Sequence, residues 1–541
     1  MKFKGLQGNF SAGVLSPEAL GRVDIARYPN ASKRLRNIIC RTLGGAQKRY
    51  GTQYIAETKT SANKSRLVPY IISKDLAYIL ELGNNYMRVF KSDGTQVAGP
   101  YEISIPYTIA QVLLLDVSQS EDAMFLFHSA VHPYYLRYFS ETHWDCSIVP
   151  FETLPFAEIG RYSFSTTVTL SLNTVGVGRT ATASGAIFLI SDVGRAILSG
   201  AGVAVITGYT STTVVTVEIK SIFDSVTIPT GWVRDASPQT ILTPSAKDPI
   251  GATITLTLAA DGWRSDDVGS FVRVNGGLVK ISVYTSTLVV SAVIVNVLTG
   301  IVAAPALAWS LETPVWNNAY GYPATGTFFQ QRMIAGGTVK NPQTIYGSKA
   351  GEPFNFMMGM ADDDGFSATI SGDDSQVNQI NYLVASKRML ALTFGGEFSI
   401  FGGVEKPLTP TNIQIDPAGT HGCSQVRPIQ VKREMLFVQR AGLKIRAMGY
   451  DGSNDSYKSP DITTLAGQIT ASGIASMAVQ QEPEPIVWIA LNSGRLLSVT
   501  FDRDLEIIAW NDHETDGAVE SLAVIPSGSE EQVWMIVRRS V

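Results

Sequence analysis

Short runs of alternating apolar and polar residues, each doubled back at a glycine or asparagine, recur along most of this 541-residue chain. "DLAYILELGNNYMRVF" reads as two strands joined at Gly83-Asn84-Asn85, residues that accept positive φ. "RMLALTFGGEFSIFGG" repeats the design around Gly395-Gly396, and "EMLFVQRAGLKIRAMGY" around Ala441-Gly442. "IVWIALNSGRLLSVTFDRDLEIIAW" is a three-strand meander with turns at Asn492-Ser493-Gly494 and Asp502-Arg503-Asp504. Turn centres fall near 84, 131, 348, 395, 441, 493 and 528. Most of these separations bracket the length of a four-stranded propeller blade, about 40–45 residues. The pattern predicts a mainly β fold with a β-propeller-like body, because radial repetition leaves only short strand edges exposed. The blades share no dipeptide signature. A pair of stacked β-sandwiches is the alternative.

One gap, between about 155 and 312, breaks the rhythm and contains a duplication. "DVGRAILSGAGVAVITGYTSTTVVTVEI" from Asp192 aligns without a gap to "DVGSFVRVNGGLVKISVYTSTLVVSAVI" from Asp267. The offset is 75 throughout, with 12 of 28 positions identical. Both copies alternate and are rich in Val, Ile and Thr, as small β modules are. The expected organisation has four parts. Residues 1–65 form a basic, partly helical α/β platform, and 66–155 the first blades. Residues 156–312 insert the two modules (about 165–230 and 250–305), and 313–541 supply the remaining blades with an acidic end. Helices are expected at "SPEALGRVDIARY", capped by Ser16 ahead of Pro17, and at "NASKRLRNIICRTL".

Charge is polarised. Residues 1–70 hold thirteen bases and three acids, whereas 451–541 hold five bases and fourteen acids. Such a chain can stack head to tail with copies or present a basic face to a polyanion. The basic candidates are Lys33, Arg34, Arg36, Arg41, Lys48 and Arg49. Cys40, Cys146 and Cys423 lie too far apart for a disulfide framework, which fits a reducing cytosol. The N-terminus lacks the apolar core of a signal peptide, and no run of 18 apolar residues exists, so no membrane insertion is expected.

Catalytic signals are weak. The chain has no phosphate-cradling glycine loop, no dinucleotide fingerprint and no nucleophile elbow. His143 with Cys146 and His421 with Cys423 lack a common structural-zinc spacing. Asp362, Asp363, Asp364, Asp373 and Asp374 cluster as calcium ligands do, but no glutamate closes a calcium loop. Glu506, Asp512, Glu514, Asp516 and Glu520 are the acids a glycosidase would draw on, yet they sit on turns and solvent faces. Trp144, Trp316, Trp488, Trp510 and Trp534 lie in strand patterns that suit packing between blades. No enzyme, cofactor or metal is expected.

"FSAGVLSPEALGRVDIARYPNASKRLRNIICRTLGGAQKRYGTQYIAE" resembles the opening of the tail nozzle (tail tubular) proteins of short-tailed bacteriophages. The matching residues are Ser16-Pro17, Gly21-Arg22, Asp24, Tyr28, Asn37, Gly44-Gly45 and Arg49-Tyr50-Gly51-Thr52, with Tyr50 standing where the family has proline. "FFQQRMIAGGTVKNPQTIYGSKAGEPFNF" resembles the family's middle segment. "LALTFGGEFSIFGG", "LTPTNIQIDPAGTHGCSQVRPIQVKREMLFVQRAGLKIRAMGYD" and "AWNDHETDGAVESLAVI" resemble its C-terminal blades.

The resemblance implies a structural virion protein of the tail, assembled in the host cytoplasm. Copies would form a ring, commonly a hexamer, that extends the DNA-ejection channel below the portal and adaptor. Implied partners are other copies, the adaptor or head-to-tail connector, tail fibre or other tail proteins, and passing double-stranded DNA held non-specifically. The six basic residues then face the adaptor or the DNA path, protein contact being favoured. Family members run on past "VWMIVRRSV", so either a partner completes the last blade or the gene is shortened. The alternatives are a receptor- or glycan-binding propeller with possible hydrolase activity, and an intracellular propeller scaffold.

Overall fold

The computed structural model describes the chain except residues 1–6, 98–101, 121, 159–160, 163–165, 235–236, 239, 319, 372–377, 404–405 and 540–541. It divides into two compact units, Met1–Thr153 with Trp316–Val541, and Leu154–Val315.

The first unit is a β-propeller of seven antiparallel meanders. Five blades are four-stranded sheets, spanning 66–104, 116–148, 325–369, 380–419 and 429–458. The sixth spans 474–513, and the seventh is the hairpin Ala518–Ser527 with Glu530–Arg538. The second strands explain this arrangement. Met389–Thr393 (MLALT) and Ile486–Leu491 (IVWIAL) are buried at every position. A strand covered on both faces needs no polar side, and its pleat sends successive side chains to opposite neighbours. Val487, Ile489 and Leu491 of blade six pack with Leu436, Val438 and Ile445 of blade five. Ile486, Trp488 and Ala490 pack with Val519, Leu522 and Val524 of blade seven.

The same alternation runs round the ring. Leu390 and Leu392 of blade four join Met435 and Phe437 of blade five. Met389 and Ala391 join Ile334 and Ile345 of blade three. Phe125 of blade two meets Phe328 of blade three edge-on, with centroids 5.1 Å apart. Blades one and two share Leu80, Leu82, Met124 and Leu126. Closure falls to blade seven. Val533, Met535 and Val537 face blade six, while Trp534 and Ile536 join Leu67, Ile79 and Phe90 of blade one.

Polar bonds also link the strands nearest the axis. Asp116, which opens blade two, accepts from Thr325 Oγ1 of blade three at 2.7 Å and pairs with Arg427 at the entry to blade five. Thr325 Oγ1 in turn accepts from the Leu383 amide of blade four at 3.0 Å. Arg66, which opens blade one, donates to the carbonyls of Val112 (3.0 Å) and Leu115 (2.5 Å). It thereby satisfies the C-terminal end of the helix Ile109–Leu114.

The N-terminal segment departs from the expected helices. Its helical turns are single 3₁₀ turns at Pro17–Ala19 and Tyr28–Asn30. Ser16 does cap the first, its Oγ accepting from the Glu18 amide. The "NASKRLRNIICRTL" segment is extended, with strands Ala31–Ser32 and Ile38–Cys40. Asn37 between them has φ 54°, a left-handed backbone that no α-helix accommodates. Leu35 and Ile38 pack into the core of blades five and six, and Ile39 into that of blades six and seven. Those tertiary contacts outweigh helix propensity.

The second unit carries the duplication as structure. Gly202–Tyr209 and Val214–Ser221 correspond to Gly277–Tyr284 and Val289–Asn296 at the sequence offset. Hydrogen bonds repeat too. Asp192 Oδ2 accepts from the Leu189 amide (2.9 Å) as Asp267 Oδ2 does from that of Arg264 (2.8 Å). The Gly194 amide reaches Ile206 O (2.8 Å) as that of Gly269 reaches Ile281 O (2.9 Å). Each module has its own core, around Phe188 and Trp232 in one and Trp263 and Trp309 in the other.

Asp116→Ala is expected to cost about 3 kcal/mol in denaturant unfolding, since it strands Thr325 and Arg427 while opening bonds to two blades. Arg427→Ala is expected to cost a comparable amount, because it leaves the Asp116 carboxylate, only 4% exposed, without its cation.

Candidate functional site

The basic N-terminal segment is a clasp that bridges blades six, seven and one. Gly13–Val14 adds to the outer edge of blade six, Gly13 pairing in parallel with Trp510, and Ala31–Ser32 pairs in parallel beyond it. Gly13 has φ +63°, and a Cβ there would lie 2.2 Å from the Trp510 amide nitrogen. Only glycine permits that approach. The Asn37 amide donates to Asp512 O (2.8 Å), and Asn37 Oδ1 accepts from the Glu514 amide (3.0 Å).

The hairpin Ile38–Cys40 with Ala46–Lys48 then lies against blade six. Thr500 Oγ1 donates to Cys40 O (2.5 Å), Cys40 Sγ to Asn511 Oδ1 (3.3 Å), and the Thr42 amide and hydroxyl to Glu484 Oε2 (3.0 and 2.8 Å). Farther on, Ile55 enters the core between blades seven and one, and Arg88 of blade one donates to Glu57 O at 2.7 Å.

The six basic candidates divide into two groups. Arg36 pairs with Glu514 at 2.5 Å, Arg41 with Glu484 at 3.6 Å, and Arg49 donates to Glu514 O at 3.2 Å. Burial lowers the Arg49 pKa below its ordinary value. Lys33, Arg34 and Lys48 are exposed and have no ion partner among the described residues. The basic beginning and acidic end of the chain thus meet within one molecule. Sequence reasoning missed Glu484 and Glu514 as their receivers, although the opposed charge of the two termini was the signal.

The remaining candidates have structural surroundings. Cys146 lies in the outermost strand of blade two. Cys423 is buried, its Sγ donating to Ser424 O at 3.2 Å. Among the described residues no group of three or more His, Cys, Asp or Glu is placed to hold a metal. The buried Arg332 guanidinium donates to the carbonyls of Asp362 (2.5 Å), Asp363 (3.3 Å) and Asp364 (2.6 Å). A side-chain cation therefore organises the loop that resembled a calcium site. Asp373 and Asp374 lie outside the described residues.

Among the C-terminal acids, Asp512 pairs with Arg495 (2.9 Å) and Glu520 with Arg538 (3.0 Å). The carbonyls of Glu506 and Asp516 accept from Arg27 (3.1 Å) and Arg539 (2.8 Å). Trp144, Trp316, Trp488 and Trp510 are buried. Trp534 is half-buried.

A cleft of about 500 Å³ opens between the ends of blades four and five, lined by His421, Tyr457, Lys458 and Arg503 among others. Behind its wall at Gly419 sits the buried Glu397, and a Cβ on Gly419 would meet the Glu397 carboxylate at 2.2 Å. Burial raises the Glu397 pKa above its usual range. Lys458 is engaged by Asp451 and Arg503 by Glu434, each at 2.6 Å.

No protein-family model matches the chain, and no curated protein matches it. Solved structures that resemble it include the Cps50 (Swd1) β-propeller domain of Myceliophteria thermophila, at 8% identity and a TM-score of 0.28, covering 87% of this chain and 96% of that one. The Neurospora crassa Pan2 WD40 domain resembles it at 11% identity and a TM-score of 0.25, covering 56% and 88%. A 6-phosphogluconolactonase-like protein of Bacteroides fragilis does so at 11% and 0.26, covering 63% and 88%. The superpositions are too loose to bear on chemistry or partners.

One buried group near the clasp makes stability depend on pH. His513 Nε2 and Ser498 Oγ are 2.7 Å apart, and His513 Nδ1 has no partner among the described residues. Burial first, and the Arg49 charge second, pull the His513 pKa down to about 3 from 6.5. The unfolded chain therefore binds the extra proton between those values. The neutral imidazole's contribution is intact above pH 6.5 and is lost as pH falls toward 3. His513→Gln should flatten the wild-type decline in unfolding free energy across that window by about 1.4 kcal/mol per pH unit. Denaturant titrations at several pH values measure the difference.

Proposed function

We propose that this protein is a structural subunit of a tail nozzle in a short-tailed bacteriophage. On this reading copies assemble into a ring that carries the DNA-ejection channel below the adaptor. One observation carries the proposal: the residues through which the chain resembles that family are the ones that build the clasp. Asn37 bonds Asp512 and Glu514. Gly21 donates its amide to Tyr28 Oη at 3.0 Å, Arg22 pairs with Asp24 at 2.6 Å, and Gly44 has φ +83° beside Asn9. A motif whose Asn37 and Arg49 tie the N-terminal segment to the end of blade six suits a building block that acts through shape. Lys33, Arg34 and Lys48 then meet an acidic adaptor surface, with the DNA backbone as a weaker, non-specific contact.

A second reading, a glycan- or receptor-binding propeller with possible hydrolase activity, draws on the cleft beside His421, Lys458 and Arg503. Electron microscopy of the purified protein and of particles separates the two. The nozzle reading expects discrete rings and the protein in tails. A persistent monomer that binds or cleaves polysaccharide, and loses that activity on Arg503→Ala, contradicts it. If DNA touches the exposed cations, the triple change of Lys33, Arg34 and Lys48 to Ala lowers the salt slope of binding by about 2 to 3. An unchanged slope shows that these three cations do not touch DNA.

A further inference from the structure

The cleft between blades four and five holds polar side chains that the fold leaves unused. Thr420 and His421 follow the last strand of blade four, Gln414–Gly419, and Ser459 follows that of blade five, Ser456–Lys458. The Thr420 hydroxyl, the His421 imidazole and the Ser459 hydroxyl have no hydrogen-bond partner among the described residues. Burial first, and the Arg446 charge second, hold the His421 pKa below its ordinary value. The ring is therefore neutral at neutral pH and offers one donor and one acceptor. Gly419 keeps the floor bare, since a Cβ there would strike the Glu397 carboxylate and stand 3.8 Å from Ser459 Oγ.

Cations flank these groups and keep free donors. Arg503, in the turn after Leu496–Asp502, meets Glu434 Oε1 through Nε at 2.6 Å, while Glu434 Oε2 has no partner among the described residues. The pairing is one-armed, so the rest of the guanidinium fork remains for a ligand. Lys458 meets Asp451 at 2.6 Å and is 65% exposed. Arg446 donates to Ser459 O (2.7 Å) and Gln439 Oε1 (3.0 Å), and no acid forms an ion pair with it among the described residues.

We propose that this cleft binds an anionic sugar residue, a hydroxylated ring carrying one carboxylate or phosphate. Arg503 and Lys458 receive the oxyanion, and Thr420, His421 and Ser459 bond the hydroxyls. Tyr457 and Pro460 add an apolar wall, and the volume of about 500 Å³ suits a small ligand. A neutral sugar would leave the cations unmatched, and a cationic ligand would be repelled. The proposal rests on the cleft of the second reading and gives it a ligand class. It needs neither hydrolysis nor a monomer, so a nozzle subunit can carry it.

Ligand-observed NMR on the full chain tests this, with glucuronate, glucose 6-phosphate, glucose and inorganic phosphate as probes. At least one sugar acid should bind with a Kd of about 1 mM or tighter, and about tenfold better than glucose or phosphate. The tighter of the two identifies the anionic group. Arg503→Gln should remove most of the preference for the acid over glucose. Thr420→Ala combined with Ser459→Ala should weaken binding about tenfold and leave Tm unchanged, because neither hydroxyl is bonded within the protein. No binding of either acid at about 10 mM overturns the proposal. So does glucose or phosphate alone binding as tightly as the sugar acids, or unchanged affinity in the double variant. Those results leave the ring, which microscopy tests, unaffected.

Discussion

The fold depends on strands that bury both faces. A blade whose second strand reads Ile-Val-Trp-Ile-Ala-Leu has no side to give to solvent, so it requires an apolar neighbour on each side. Repeated blade by blade, that requirement ends only when the last sheet meets the first. Blade seven meets it with two strands. The odd-numbered side chains Val533, Met535 and Val537 serve blade six, and Trp534 and Ile536 serve blade one.

Closure by so narrow a blade leaves the outer strands of blade six exposed beside it, and the N-terminal segment covers them. The parallel strand at Gly13, the left-handed turn at Asn37, the Cys40 hairpin and Ile55 follow one another along a path from blade six to blade one. The basic charge of this segment has a local use, since Arg36, Arg41 and Arg49 all bond within the acidic C-terminal region. Exposed ion pairs of this kind contribute little each. The backbone bonds at Asn37 and the apolar anchors Leu35, Ile39 and Ile55 hold the clasp more firmly.

Much of this was legible in the chain and some was not. Glycine and asparagine turns marked the hairpins because positive φ restricts which residues can stand there, as at Asn85 with φ 62°. The duplication was legible because each copy must rebuild the same Asp-capped turn, at Asp192 and Asp267. The helix expected over residues 30–43 failed for a definite reason. Leu35, Ile38 and Ile39 fit one helical face, but the spacing cannot show that Asn37 turns left-handed, nor that the strand after it sends Ile38 and Ile39 to different cores. Nor does local sequence reveal that Arg36 meets a carboxylate across the whole chain, at Glu514. That pairing is a product of ring closure.

The central claim is that the basic beginning and the acidic end join within one molecule. Zero-length carbodiimide cross-linking of the Arg36→Lys variant tests it most directly, the new amine standing opposite Glu514. Equal amounts of ¹⁴N- and ¹⁵N-labelled protein would be mixed through full unfolding and refolding before cross-linking. The peptide pair that joins position 36 to Glu514 would then be analysed by mass spectrometry. The account predicts pairs of uniform label, light with light and heavy with heavy. Mixed pairs in statistical proportion would mean that the two ends meet between copies, and would contradict it.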